Sequence, residues 1–396
     1  MSNYQLQWLD RLQQVPQSAW DALALPLKTP FLEWEWLNNL ETSGSVQAET
    51  GWLPRHLTVW EGTTLVAAAP LYLKGHSYGE FVFDQQWAEV SQRLGIRYYP
   101  KLVGMTPITP AEGYRFLMAD GIDQLEMTAL MMGEIDKFCI ANGISGCHFL
   151  YVDPTWQESI EQQGFTPWLH HNYIWQNDSH QDFDCYLKNF NANQRRNIKR
   201  ERKAVAEAGL TLKPLIGEGL GGKMLPLMYE FYADTCDKFG YWGSKYLTPE
   251  FFASLYPNYQ HRVMLMAAFQ EGVENPVGMS FCIYKDERLY GRYWGSKQEI
   301  DCLHFDACYY SPIEWSIGKG IQLFDPGAGG RHKKRRGFPA TPNYSMHRFY
   351  NPRLAQIILP YIREVNKMER QEIEAINQDL PFTPKEVEFA EFIGSM

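Results

Sequence analysis

Three extended runs in close succession, Val263 to Phe269, Val277 to Tyr284 and Arg288 to Trp294, constrain the fold more than anything else in the chain. The links between them are too short for a crossover helix, so the strands run antiparallel. An earlier pair, His56 to Trp60 and Leu65 to Leu73, is joined by Glu61-Gly62 and reads as a hairpin for the same reason. Each set of hairpins leads to a helix, a short buried strand and a final extended run. In the first half the strand is Cys147 to Val152 and the run Phe165 to Trp175, after a periodic helix over Gln124 to Ala141. In the second half a helix from His304 precedes Gln322 to Phe324 and Asn343 to Tyr350. The outline recurs without a residue-level repeat. It predicts an α/β (α+β) fold of two tandem domains with mixed, largely antiparallel sheets, not a doubly wound parallel fold. A length of 396 residues agrees with two domains, 1–178 and 179–396.

Other local signals complete the outline. Thr29-Pro30 reads as a cap and first helical residue before the apolar face from Phe31 to Leu40. Ile96 to Val103 reads as a strand, and Asp182 to Ala208 as a helix with a break near Asn191. Pro352 to Gln378 is a long C-terminal helix. The stretch Gly217 to Lys223, GEGLGGK, fits G-x-G-x-x-G and nearly fits a P-loop. Met224 stands where the P-loop needs Ser or Thr, so a flexible loop is expected there.

The formal charge of −9 argues against a general nucleic-acid binder, yet two basic clusters, Arg195 to Lys203 and Arg331 to Arg336, stand out as local anion sites. Seven scattered cysteines without a C-x-x-C pair predict neither a disulfide framework nor a zinc site. No metal is expected. The N-terminus lacks the pattern of a signal peptide. The longest nearly apolar run, about Leu65 to Leu73, is far short of the roughly 20 residues of a membrane helix. A cytoplasmic location without membrane insertion is the expectation.

The richest chemistry lies between Leu289 and Phe338. His304, Tyr309 and Tyr310 on one helix are the catalytic candidates: acyl transfer to an amine needs a base, and a donor for the oxyanion or leaving group. Asp306 is two residues from His304 on that helix, so the two point apart and form no dyad; Asp306 is instead a candidate substrate contact. The same residues serve equally well as a helix cap and as packing beneath a sheet. Pro312 kinks or restarts the helix. In the loop that follows, Gly327, Gly329 and Gly330 allow close backbone approach, and His332, Lys333 and Arg336 supply charge for an anion. Arg292 and Trp294 on the preceding strand join them as substrate- or donor-binding candidates. On the basic helix, Arg196 and Lys199 could contact a polyanion or simply face solvent. Lys74, His76, Tyr78, Glu80, Asp84, Tyr98, Tyr99 and Lys101 fit a cleft, a surface turn or core aromatics alike.

The order of these segments resembles the FemAB-like predicted N-acyltransferases, the peptidoglycan biosynthesis/recognition family within the GNAT (Gcn5-related N-acetyltransferase) superfamily. The residues that carry the likeness are PFLEWEWLNNLETSGS, TGWLPRHL, PLYLKGHSYGEFVFD, YYPKL, NQRRNIKRERKAVAEAG, YWGSKYLTPEFF, LYGRYWG, LHFDACYY and GIQLFDPGAGGRHKKRRGF, over roughly residues 30 to 350. Arg331 departs from the acidic residue expected before the His-Lys pair. The resemblance implies two tandem GNAT-like (acyl-CoA N-acyltransferase-like) domains and transfer of an acyl or aminoacyl group to an amine, that of a small molecule or a glycan precursor of the cell wall. It implies acyl-CoA or aminoacyl-tRNA as donor, with tRNA contact by the basic helix. The R/Q-x-x-G-x-G/A signature of a CoA site is missing from the turn Lys297 to Leu303. The alternative is a catalytically silent module that recognises an anionic glycan precursor or RNA.

Overall fold

The computed structural model describes residues 4–240 and 243–383. The hairpins form as their turns dictate. His56–Glu61 pairs antiparallel with Thr64–Ala69, and the run Val263–Gln270, Gly278–Lys285, Arg288–Ser296 forms an antiparallel meander. Three sheets result. A four-stranded antiparallel sheet orders Tyr4–Leu9, His56–Glu61, Thr64–Ala69 and Leu117–Met118. One six-stranded sheet orders Trp52–Pro54, Tyr72–Lys74, Lys101–Gly104, Gly146–Phe149, Ala340–Phe349 and Thr166–Tyr173. The other orders Trp175–Gln176, Leu323–Asp325, Arg288–Ser296, Gly278–Lys285, Val263–Gln270 and Leu210–Ile216.

The sheets cross the 178/179 boundary in both directions. Ala340–Phe349, from the second half of the chain, lies between Gly146–Phe149 and Thr166–Tyr173 of the first. Trp175–Gln176 pairs in return with Leu323–Asp325. The helix Pro352–Gln378 follows its strand onto the first sheet, where the Asn366 side chain accepts from Leu169 N and donates to Pro167 O, both at 2.8 Å. The linear division of the chain is therefore not the division of the sheets.

Several local expectations change for identifiable reasons. The helix expected from Pro30 begins at Trp34, because Glu33 is drawn into a buried cluster with Arg262 and Lys285, each at 2.8 Å. Only Lys101–Gly104 of the run from Ile96 is strand, as Tyr98 turns inward to Asp84 at 2.6 Å. The Asp182–Ala208 segment divides into Phe183–Lys188 and Ala192–Glu207, with Asn191 capping the second helix. Gly217–Leu220 is a 3-10 turn that buries Leu220 and runs directly into the helix Gly221–Lys238, which leaves no open phosphate loop.

Each six-stranded sheet contains one parallel pair, Lys101–Gly104 with Gly146–Phe149 and Arg288–Ser296 with Leu323–Asp325. Parallel neighbours joined by a helix can splay beyond their last ladder bond, and the two pairs use that gap differently. In the first, Leu150 N donates to Gly104 O, and Gly113 N and Tyr114 N both donate to Tyr151 O, all at 2.9 Å. Tyr114 fills the space, buried, with its hydroxyl donating to Pro70 O at 3.0 Å. In the second, the strands part after Tyr290 and Asp325 and leave a pocket of about 270 Å³.

A Cβ on Gly104 would lie 2.2 Å from Tyr114 Oη and 2.6 Å from Phe149 Cδ1. Gly104→Ala is therefore expected to lower stability by about 1–3 kcal/mol through overpacking, read as a lower urea midpoint with unchanged slope.

Candidate functional site

The second gap gathers the chemistry. The helix that borders it is interrupted: Leu303–Phe305 leads into a π turn, Asp306–Tyr310, before the α-helix resumes at Ser311 beside Pro312. A wider turn brings residues five apart toward one face. His304 and Tyr309 thus meet with ring centroids 5.5 Å apart, and both line the inner pocket. His332 joins them from the following loop, its Nε2 2.8 Å from Tyr309 Oη. Trp294 covers His304 at 5.6 Å.

The same turn sends the other candidates away. Tyr310 is fully buried and donates to Glu201 instead of facing the pocket. Asp306 accepts from Ser311 Oγ at 2.8 Å and faces Arg202 at 3.5 Å. Arg196 and Lys199 lie on the exposed face of the basic helix, whereas Gln194, Asn197 and Arg200 face the loop.

Gly327, Gly329 and Gly330 have φ of 92°, 66° and 94°, so each holds a left-handed backbone that other residues resist. Gly329 and Gly330 line the inner pocket. The basic run forms a 3-10 helix, Arg331–Arg336, in which residues three apart share a face. Lys333 and Arg336 are that pair, and both point inward. Lys333 Nζ donates to Gly327 O at 2.6 Å and Ala328 O at 3.3 Å, bracing the glycine loop. Burial brings its pKa down to about 8, against the pull of Asp325. Arg336 stacks 3.4 Å over Phe305, pairs with Glu201 at 3.0 Å and donates to His332 O at 3.0 Å. These two cations build the site, while Arg331 and Arg335 face a groove of about 520 Å³ with Arg200, and His332 opens onto both groove and inner pocket.

On its other side the inner pocket joins a chamber of about 920 Å³ through Arg292, Tyr293, Trp294 and His304. Phe81 and Pro110 of the first half close one wall. Burial, then electrostatic repulsion from His332, Arg336 and Lys333, pushes His304 down to about 4, so its imidazole is neutral at pH 7. His332 is also lowered, first by burial and then by Arg336 and Lys333. Burial raises Tyr309 far above the usual phenol, which keeps its proton in place. Among the described residues no group of three His, Cys, Asp or Glu side chains could hold a metal, and no helix is long and apolar enough to cross a membrane.

Sequence reasoning passed over Glu201, whose carboxylate ties Arg336 and Tyr310 to the basic helix. Its signal was there, as the lone acid between Arg200 and Arg202. The contributions of Phe81 and Pro110 had no local signal.

The two six-stranded sheets are mixed, each with one parallel pair flanked by a helix, in an α/β architecture. The chain belongs to the FemAB-like family, described by peptidoglycan biosynthesis/recognition, which it matches over residues 11–384. Among solved structures it is similar to FemX, at 11% identity over 89% of this chain and 100% of that one, with a TM-score of 0.53. It is also similar to the C-terminal DUF2156 domain of an Agrobacterium fabrum protein, at 10% identity over 86% and 93% of the two chains, TM-score 0.50. No curated protein matches the sequence.

Glu201→Gln is expected to cost about 3 kcal/mol, because Arg336, only 5% exposed, would lose the charge that balances it. Tyr310→Phe removes one hydroxyl bond and should cost about 1–2 kcal/mol. Urea denaturation of both variants checks the order.

Proposed function

We propose that the protein is an N-acyltransferase that moves an acyl or aminoacyl group to an amine, in the setting of cell-wall precursors. The observation that carries this reading is the meeting of His304, Tyr309 and His332 in the one parallel-strand gap that stays open. The donor carbonyl enters the inner pocket, and the amine approaches from the chamber. As the nitrogen attacks, the new C–N bond forms and the bond from the carbonyl carbon to the carrier oxygen or sulfur breaks. Before attack the acceptor ammonium gives one proton to the neutral His304 and on to solvent, which frees the nitrogen lone pair. The leaving atom takes its proton from Tyr309, and the second proton that the nitrogen sheds on becoming an amide restores Tyr309 by way of His332. Water exclusion by the aromatic walls strengthens each of these contacts. At about 4 the imidazole is a weak base, so positioning carries much of the His304 contribution.

The charge pattern favours an aminoacyl-tRNA donor over acyl-CoA. The turn before the helix carries Glu299 and Asp301 on the chamber wall, where a pyrophosphate would meet repulsion. The groove with Arg200, Arg331 and Arg335 offers an anionic carrier the opposite. The family match and the likeness to FemX support this reading, as does the filled gap of the first half, which leaves that half as scaffold and chamber wall. A location in the cytoplasm follows from such a donor.

Transfer of labelled acyl groups from aminoacyl-tRNAs and acyl-CoAs to amine acceptors tests the proposal. His304→Ala should lower kcat about 10²–10⁴-fold, and Tyr309→Phe about tenfold or more. Unchanged turnover in both variants would refute the assignment. No turnover with any donor, together with salt-dependent tRNA binding, would favour the silent binding module. Because His304 loses activity only when protonated, kcat at saturating acceptor should show no His304 inflection between pH 5 and 8, and should fall as pH drops through about 4.

A further inference from the structure

The cations around the site differ in how their charge is balanced. Lys333 is spent on two carbonyls, Arg336 pairs with Glu201, Lys334 with Asp379 and Arg331 with Glu372. Arg292 has no carboxylate partner among the described residues. It lines both chamber and inner pocket, at the place where acceptor and donor must meet. Asp325 on the neighbouring strand accepts from Gly327 N at 2.8 Å instead.

The Arg292 side chain is nonetheless fixed. Nη2 donates to Ile108 O at 3.0 Å, and the guanidinium lies 5.8 Å from the Phe31 ring centre and 5.6 Å from that of Tyr293. Nε is buried and has no hydrogen-bond partner. Ile108, whose carbonyl aims the guanidinium, holds a φ of 59°, a left-handed backbone that a β-branched residue adopts only at conformational cost. An orphaned donor and a guanidinium without an ion pair coincide on one side chain, aimed by a strained backbone at Ile108. An arginine held this way is prepared for a planar anion, with the ordering of its side chain already complete before a ligand arrives.

Resting on the acyl-transfer reading, we infer that Arg292 recognises a carboxylate on the acceptor, so that the acceptor is an amine carrying a carboxylate, in the manner of an amino acid or the acidic end of a peptide. The anionic carrier of the donor has the outer groove, so the Arg292 charge remains for the other substrate. Anchoring the carboxylate there holds the amine in the chamber, on the side of the inner pocket that His304 borders.

Calorimetry on the full chain tests this with glycine, L-lysine and 6-aminohexanoate, each against its amide. At least one acid should bind about tenfold more tightly than its amide, the scale of a charge-assisted pair. The preference should collapse to within about twofold in Arg292→Gln and be only partly kept in Arg292→Lys, which retains charge but loses the planar fork. Circular dichroism and melting curves establish that both variants are folded. Equal binding of acid and amide in every pair, a preference that survives Arg292→Gln, or no binding of any acid would overturn the inference. Undiminished transfer to the amides would also overturn it and leave the acyltransferase reading standing. Acid-selective binding through Arg292 without transfer from any donor would do the reverse.

Discussion

The geometry of the site depends on one buried carboxylate that belongs to neither sheet. Glu33, 3% exposed, receives Arg262 and Lys285 at 2.8 Å each and the Tyr259 hydroxyl at 2.9 Å. A buried cation stripped of its counter-charge costs about 3–5 kcal/mol, and here two cations from the second half share one anion from the first. The cluster ties the halves together beside the core they share. The chamber depends on how the halves meet, because Phe81 and Pro110 come from one half and Tyr293, Trp294 and Phe305 from the other. The bond from Arg292 to Ile108 O spans the same divide.

Two similar architectures have been put to different uses by a few side chains. In the first sheet Tyr114, held by the Pro70 carbonyl, fills the opening between the parallel strands. In the second the opening is kept clear by glycines with left-handed backbones and by a lysine that spends its charge on their carbonyls. The loop that looks most like an anion cradle is held from within, and the cations that line the groove lie one turn further out.

What was legible in the sequence was what is local. The helices Gln124–Ala141 and Pro352–Gln378 have the bounds that the sequence predicts. His304 and Tyr309 were legible as chemistry, but the π turn that separates Tyr309 from Tyr310 was not, since one extra residue per turn leaves no mark in composition. A run such as RHKKRR reads as solvated or anion-binding; that Lys333 and Arg336 turn inward follows from the three-residue repeat of a 3-10 helix. The sheet position of Ala340–Phe349 was beyond reach, because a strand carries its own alternation but not the identity of its neighbours. Glu33 was hidden for the same reason, its partners lying more than 200 residues away.

The placement of Ala340–Phe349 also sets the order of events during synthesis. Residues 146–149 and 166–173 emerge early, yet the strand that separates them leaves the ribosome more than 160 residues later. Until then both strands present unpaired backbone to whatever is near, the condition under which nascent chains associate wrongly. Completion of that sheet therefore waits for nearly the whole chain, and a ribosome that stalls before residue 340 releases a protein in which it is still open.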